Sequence, residues 1–319
     1  MKTAIITGIT GQDGAYLAQI LINNGYNVIG VTRSSHTANL DKLVYLEIDK
    51  LVTVVECDLM DMSGVIGLIK TYQPDEIYNL AAQSSVGLSF SQPIGTIQFN
   101  TISVLNLLEA IRLLKKDTRF YQASSSEMYG MVKQLPVTIG TPMHPLSPYA
   151  ISKASAYWTV VNYRESYGLF ACNGVLFNHE SFLRSDNFFI KKVISEAVKN
   201  RDNKDWKLKL GNIDVWRDFG YSPKYVEAMW FMLQKDKPVD YIICSGKSYH
   251  LKDIVHYVLD KLDLDRDRIV ISNELYRPTD ILDIYGDNSA AIEDLGWEYK
   301  LSFFEVLDLL IAEELNNVN

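Results

Sequence analysis

The chain has 319 residues, 47% of them apolar and 22% charged, and its 39 acidic against 31 basic side chains give a net charge of -8. That balance excludes a disordered chain, argues against nucleic acid as a main partner, and requires locally clustered arginine and lysine for any anionic ligand. Cys57, Cys172 and Cys244 are odd in number, lie in apolar strand-like runs without metal spacing, and read as buried thiols of a reducing compartment.

In chain order, Met1 to Thr7 is too short an apolar run for a signal segment, and no stretch of 18 uninterrupted apolar residues occurs, so the expectation is a cytoplasmic chain without a membrane partner. Short β-branched runs then alternate with helical patterns, the signature of a parallel sheet covered on both faces. Strands are expected at Ala4 to Thr7, Val28 to Thr32, Val52 to Glu56, Glu76 to Asn79, Arg119 to Ala123 and Leu169 to Phe177. Helices are expected at Ala15 to Asn24, closed by Gly25, at Met62 to Tyr72, stopped by Pro74, at Ile97 to Lys115, and from Tyr149 onward. The alternation weakens after about residue 178, and no repeat or linker separates the halves.

The link between the first strand and helix reads Thr7-Gly8-Ile9-Thr10-Gly11-Gln12-Asp13-Gly14. Glycines there permit a tight turn and close approach of the backbone to a pyrophosphate, while the helix amino terminus offers oriented N–H groups. Gly8, Thr10, Gly11, Gln12, Asp13 and Gly14 are therefore expected to cradle a dinucleotide. The second strand ends in Thr32-Arg33-Ser34-Ser35 rather than in an acidic residue, which suits a 2′-phosphate and makes NADP the expected cofactor. Asp58 and Leu59, just past the third strand, are placed for the adenine edge, although an aspartate at a strand end also serves as a helix cap. The fold class that follows is α/β: a Rossmann-like parallel sheet with helices on both faces and a smaller, mixed α/β C-terminal substrate lobe. The expected division is 1–178 for the cofactor, rejoined by part of 214–240, and 179–319 mainly for the substrate.

Ser147-Pro148-Tyr149-Ala150-Ile151-Ser152-Lys153 sets a phenol and an ammonium four residues apart, on one face of a helix. A phenol of pKa about 10 is a poor base at neutral pH. A cation about 5 Å away at an effective dielectric of about 20 lowers it by roughly 2 units, within reach of general-base work.

The glycine loop, Asn79-Leu80-Ala81-Ala82-Gln83, Ser124-Ser125-Ser126-Glu127 and Tyr149-x-x-x-Lys153 together resemble the extended short-chain dehydrogenase/reductase superfamily. More narrowly, the run Gly11-Gln12-Asp13-Gly14, Ser126-Glu127-Met128-Tyr129-Gly130, Val161 to Gly168 and Phe177-Asn178-His179-Glu180-Ser181 resemble the GDP-mannose 4,6-dehydratase family, from the first strand to about Trp297. The resemblance implies a dehydratase that recycles NADP, acts on a GDP-sugar, and assembles as a homodimer or homotetramer. It implies Ser125, where the family usually has threonine, on the C4 oxygen; Tyr149 and Lys153 for C4 oxidation; and Glu127 for the C5 proton. Leu80, Ala81, Ala82, Ser84, His179 and Arg184 are implied at the cofactor, together with Tyr149 and Lys153. Ser84, Asn178, Lys192, Arg217, Arg277 and Asp280 are implied at the substrate.

Three stretches depart from the family pattern. Phe182-Leu183-Arg184-Ser185 stands for Pro-Arg-Arg-Gly, Ser85 for histidine, and the segment after Arg33 is short. Besides the GDP-mannose enzyme, the residues leave open a dehydratase of another GDP-linked sugar, a heptose or an N-acetylhexosamine, a related NADP-dependent epimerase or reductase, and a non-catalytic NADP-binding regulator. Glu127 favours a dehydratase, and the complete Ser125, Tyr149 and Lys153 set weighs against a regulator.

Overall fold

The computed structural model describes residues 1–34 and 38–318; Ser35, the last residue of the run expected at the 2′-phosphate, lies outside the described residues. In chain order the first half forms β1 (Thr3–Thr7), α1 (Gln12–Asn23), β2 (Asn27–Thr32), α2 (Asp41–Tyr45), β3 (Val52–Glu56), α3 (Met62–Tyr72), β4 (Glu76–Asn79), α4 (Val86–Ser91), α5 (Pro93–Leu114), β5 (Arg119–Ser125), α6 (Pro148–Tyr167) and β6 (Ala171–Leu176). The second half forms β7 (Asn178–Glu180), α7 (Phe189–Lys199), β8 (Leu208–Leu210), β9 (Trp216–Tyr221), α8 (Ser222–Gln234), β10 (Tyr241–Ile243), β11 (Ser248–His250), α9 (Leu251–Lys261), β12 (Ile269–Ile271), α10 (Ser289–Leu295) and α11 (Phe303–Val318).

Helix boundaries follow from their caps. The Ser147 hydroxyl accepts from the Ala150 N–H at 3.1 Å, Pro148 fills the first turn, and Gly168 closes α6 at φ 67°. Asp61 caps α3 through the Ser63 N–H, and Gln73 ends it at φ 44°, directly before Pro74. Pro93 starts α5 four residues before the expected Ile97, since a proline is well suited to a first turn that needs no N–H.

The main sheet is seven-stranded and parallel, ordered β10-β6-β5-β4-β1-β2-β3. α1 and α8 cover one face through Leu17, Leu21, Val226 and Met229, and α3, α5 and α6 cover the other through Leu68, Val104, Leu107 and Val160. Among the described residues, α5 has by length and composition alone what a membrane span requires; its Val104, Leu107, Leu108 and Ile111 are packed in this core. The strand order reverses at β1, so the loops after β1 and β4 diverge and open a crevice at the carboxyl ends of the strands.

The second half both completes this sheet and builds its own core. α8 packs on the sheet and β10 supplies its seventh strand, reaching beyond the stretch 214–240 expected to return. Three apolar residues are too short a run to carry a strand period, so the sequence gives no sign of β10. β9 instead pairs with β7 in parallel and with β11 antiparallel, and β8 pairs with β12. Ile190, Val193, Ile254, Phe303 and Val306 of α7, α9 and α11 form the core beneath these strands.

Candidate active site

The crevice at the strand reversal is a cleft of about 690 Å³, lined among others by Gly8, Thr10, Gly11, Arg33, Asp58, Leu59, Leu80, Ala81, Ala82 and Ser84. Its floor is main chain. Gly8 sits at φ 72°, and a Cβ there would lie 2.9 Å from the Ala81 nitrogen. The Thr7 hydroxyl accepts from the Leu80 and Ala81 N–H groups at 3.1 Å and donates to Asn79 Oδ1 at 2.6 Å, tying the two loops together. A Cβ on Gly14 would lie 2.4 Å from the Gly8 oxygen, so this residue serves helix–loop contact. Gly11 caps α1 without a side-chain acceptor, which leaves the first-turn N–H groups free of one. Open amides at a helix amino terminus and a Cβ-free floor fit a dinucleotide pyrophosphate.

The side chains of Gln12, Asp13 and His179, expected at the cofactor, are engaged with neighbouring groups of the protein. Gln12 Nε2 donates to the His179 carbonyl at 2.9 Å, and Gln12 Oε1 accepts from the Ser181 hydroxyl at 2.8 Å. The Asp13 carboxylate accepts from the Ser222 hydroxyl at 2.7 Å and meets His179 Nε2 at 2.8 Å, while His179 Nδ1 donates to the Phe177 carbonyl at 2.7 Å. Burial works against both charges, yet the partnership raises the His179 pKa and lowers that of Asp13, so each favours the charged form of the other. These side chains seam the glycine loop to β7 and α8, and the backbone of Gln12 and Asp13 forms the first turn of α1.

Ser125, Glu127, Tyr149 and Lys153 converge on a second cleft of about 210 Å³, which shares Leu80, Ala82 and Ser84 with the first. β5 delivers Ser125, whose hydroxyl accepts from the Glu127 N–H at 3.3 Å across a tight helical turn, and the first turns of α6 deliver Tyr149 and Lys153. The expected fall in the Tyr149 pKa does not occur in the protein alone. Burial pushes it up to about 12; the Ser125 hydroxyl opposes this and the Glu127 charge adds to it. Lys153 stands 5.9 Å from the ring centroid, donates to the Ala123 carbonyl at 2.8 Å, and is itself pushed down to about 8 by burial. Helix spacing does bring the two groups together, but desolvation, which spacing does not reveal, outweighs one distant ammonium.

A third cleft of about 200 Å³ shares Glu127, Asn178, Arg184 and Arg277 with the second and runs into the second half. The Asn178 amide donates to the Asp218 carbonyl at 3.2 Å. Arg217 is buried, donates to the Trp216 carbonyl and pairs with Asp280, and Arg277 stands 3.9 Å from the same carboxylate. Burial lowers the Arg217 pKa against the opposing pull of Asp280. Lys192 does not join this group: its ammonium donates to the Lys209 carbonyl at 3.0 Å, lies 3.8 Å from Glu196, and lines neither of these clefts. The turn of α7 directs it to the middle of β8 instead.

A family model described as GDP-mannose 4,6 dehydratase matches residues 5–310. The chain belongs to the GDP-mannose 4,6-dehydratase family. It is 41% identical to GDP-mannose 4,6 dehydratase 1 of Arabidopsis thaliana, over 98% of this chain and 90% of that one. It is 39% identical to GDP-mannose 4,6-dehydratase of Yersinia enterocolitica, over 99% and 94%. Among solved structures, a dTDP-glucose 4,6-dehydratase of Streptomyces venezuelae with NAD bound superposes with a TM-score of 0.88, at 20% identity and over 99% of this chain and 97% of that one, a likeness of fold.

Of the departures from the family pattern, Ser85 lines the second cleft, and Phe182 and Leu183 line none of the three clefts. Leu183 is buried in the core beside α1 and α8. The Phe182 ring packs on Tyr45 at 5.2 Å and under the Lys191 ammonium at 4.1 Å, so Phe182 fills the joint between α2 and α7. Ser85 caps α4 by accepting from the Leu88 N–H at 3.2 Å. Cleft residues not anticipated include Gln83 and Phe99 at the cofactor end and Phe188, Asn212 and Leu275 at the far end. Gly211-Asn212 is a turn signal, but only the fold shows that a Cβ on Gly211 would lie 2.7 Å from the Leu275 oxygen.

Proposed function

We propose that the chain is a 4,6-dehydratase that converts GDP-mannose into GDP-4-keto-6-deoxymannose. Nearly full-length family membership carries the substrate, and the convergence of Ser125, Glu127, Tyr149 and Lys153 on one cleft supports the chemistry. When bound, an oxidised nicotinamide accepts the C4 hydride and, reduced, returns it at C6, and its positive charge favours the phenolate that burial alone disfavours.

In this reading the Tyr149 oxygen takes the proton of the C4 hydroxyl, and the Ser125 hydroxyl donates to the C4 oxygen. Lys153 adds positive charge beside the phenol and offers N–H donors to a ribose. The C4 ketone acidifies C5, the Glu127 carboxylate removes the C5 proton, and the C6 hydroxyl departs with a proton as water. One hydride added at C6 and one proton at C5 equal those taken from C4, so the product is a 4-keto-6-deoxy sugar with no net redox change.

NADP is the cofactor we assign, on the strength of Arg33 in the cleft wall at the end of β2. The cofactor half is assigned to 1–178 with the returning α8 and β10, and the substrate half to the rest of 179–319. Arg217 and Arg277 answer the diphosphate, Asn178 and Ser84 the sugar, and Asp280 holds Arg217 or a hydroxyl. Exposed Ile94, Leu113 and Trp158 on α5 and α6 support a homo-oligomer, dimer or tetramer, and the buried unpaired thiols support the cytoplasm. Incubation with a panel of sugar nucleotides, read by mass spectrometry, tests the reading: GDP-mannose is expected to lose one water without added reductant, and no such loss would overturn it.

A further inference from the structure

Resting on the reading that the glycine loop receives a nicotinamide dinucleotide, we propose that Lys42 is a positioning residue for that cofactor, holding the loop in its binding form through the Thr10 carbonyl. Lys42 stands on α2, and its ammonium donates to the Thr10 oxygen at 2.9 Å. The N–H of the same peptide unit, on Gly11, donates to the Gly8 carbonyl at 2.9 Å, so the Thr10–Gly11 peptide is held at both ends. α2 is itself seated on two sides: Leu43 is buried in the core beside α1, and the Tyr45 hydroxyl donates to Glu313 of α11 at 3.0 Å. Nothing in the spacing points to the contact, since Lys42 lies 32 residues after Thr10.

The orientation of that one peptide decides what the loop offers an anion. Thr10 and Gly11 line the dinucleotide cleft and Lys42 does not, so the ammonium draws the carbonyl oxygen toward a group outside the cleft wall. A carbonyl oxygen turned into the cleft would face a pyrophosphate oxygen with a like partial charge, and neither could donate to the other. The Gly11 carbonyl accepts from the Ala15 N–H at 3.1 Å, so the held peptide leads directly into the first turn of α1, the end of a helix that attracts an anion. The charge of Lys42 acts in the same sense. Burial and the nearby Arg184 charge lower its pKa, with Asp13 opposing them, so the ammonium is short of negative charge in the protein alone, and a pyrophosphate on the loop supplies it.

The test crosses a change in the protein with a change in the ligand. Lys42→Met keeps the stem and deletes the ammonium, while Lys42→Arg keeps a charged donor. Both variants and the unmodified protein are titrated with NADPH and with 2′-AMP, which carries the adenosine 2′-phosphate end without the pyrophosphate; NADH and adenosine take their place if NADH binds more tightly. Lys42→Met is expected to bind the dinucleotide about tenfold or more weakly, the loss of a hydrogen bond from a charged group, and Lys42→Arg to stay within about threefold of the unmodified protein. Affinity for the adenosine fragment should change by less than about threefold in either variant. An unchanged dinucleotide Kd in Lys42→Met overturns the proposal. So does an equal loss for both ligands, which would make Lys42 a structural support only, or a loss that Lys42→Arg does not recover. Lys42→Gln, which also lacks the ammonium, takes the same test if Lys42→Met does not fold. An unmodified protein that binds neither dinucleotide overturns the cofactor reading and this proposal with it, whereas failure of the proposal alone leaves dinucleotide binding and water loss from GDP-mannose intact.

Discussion

The two ends of the candidate active site are built from different materials. The dinucleotide cleft has a floor of backbone, from Gly8 and the Leu80 and Ala81 amides, and its parts come from two loops on adjacent strands of one sheet. The third cleft is walled by side chains, with Arg217 from β9, Glu180 from β7, and Arg277 and Asp280 from the segment before α10. A backbone floor is set by topology and tolerates most side-chain changes outside its glycines. A side-chain wall depends on buried charge pairs, such as Arg217 with Asp280, and a single substitution that removes a partner leaves the other exposed to the desolvation cost alone.

Where the two ends meet, the largest effect is expected. Tyr149→Phe keeps the ring and deletes the phenol, and turnover should fall by about 10²-fold or more with cofactor affinity nearly intact. Retention of a third of the activity would remove Tyr149 from the chemistry.

At the backbone-built end, Gly8→Ala combines a left-handed φ with a Cβ 2.9 Å from the Ala81 nitrogen. A stability loss of roughly 1–3 kcal/mol in urea unfolding, with weaker cofactor binding, is the expected outcome; an unchanged midpoint and an unchanged cofactor Kd would show that the floor is not rigid. Cofactor choice at the same end should move by a smaller factor. Arg33→Asp is expected to reverse or abolish a preference for NADP over NAD in fluorescence titrations, and equal affinities for both in the unmodified protein would contradict the assignment.

The seam between the ends carries the smallest predicted effect and depends on pH. His179 has a raised folded pKa, so its contribution is fully present below the unfolded value of about 6.5 and is lost as pH rises through the folded value. Asp13 has a lowered pKa, so its share is present above about 3.9 and lost as pH falls through the folded value. The difference in Tm between the unmodified protein and Asp13→Asn should therefore be largest between these limits and shrink as pH is raised above about 6.5. A difference that does not vary with pH would mean that the pair is not ionic.

The same contrast explains what was legible in the sequence. The glycine loop, Arg33 and the Tyr149-x-x-x-Lys153 pair are contiguous motifs whose spacing has a mechanical meaning, and they line the clefts at the carboxyl ends of the strands. β10 and the short helices α2 and α4 were not legible, because three to six residues carry no dependable period. The residues of the third cleft were legible only through family resemblance, since Asn178, Arg217 and Arg277 are far apart in sequence and only packing brings them to one wall. Lys192 shows the limit of that route: a matching position on α7 does not fix where a long side chain points. Desolvation was the other omission, for it reverses the shift at Tyr149 that charge spacing alone predicts.

Glu127 is expected to act on C5 only after C4 has been oxidised. Glu127→Gln is nearly isosteric but cannot serve as a carboxylate base. In a single turnover with bound oxidised cofactor and GDP-mannose, nicotinamide absorbance near 340 nm (about the usual NADPH band) would be followed beside product mass and deuterium uptake at C5. The account predicts that reduced cofactor forms while water loss and C5 exchange are blocked; dehydration at the unmodified rate would contradict it.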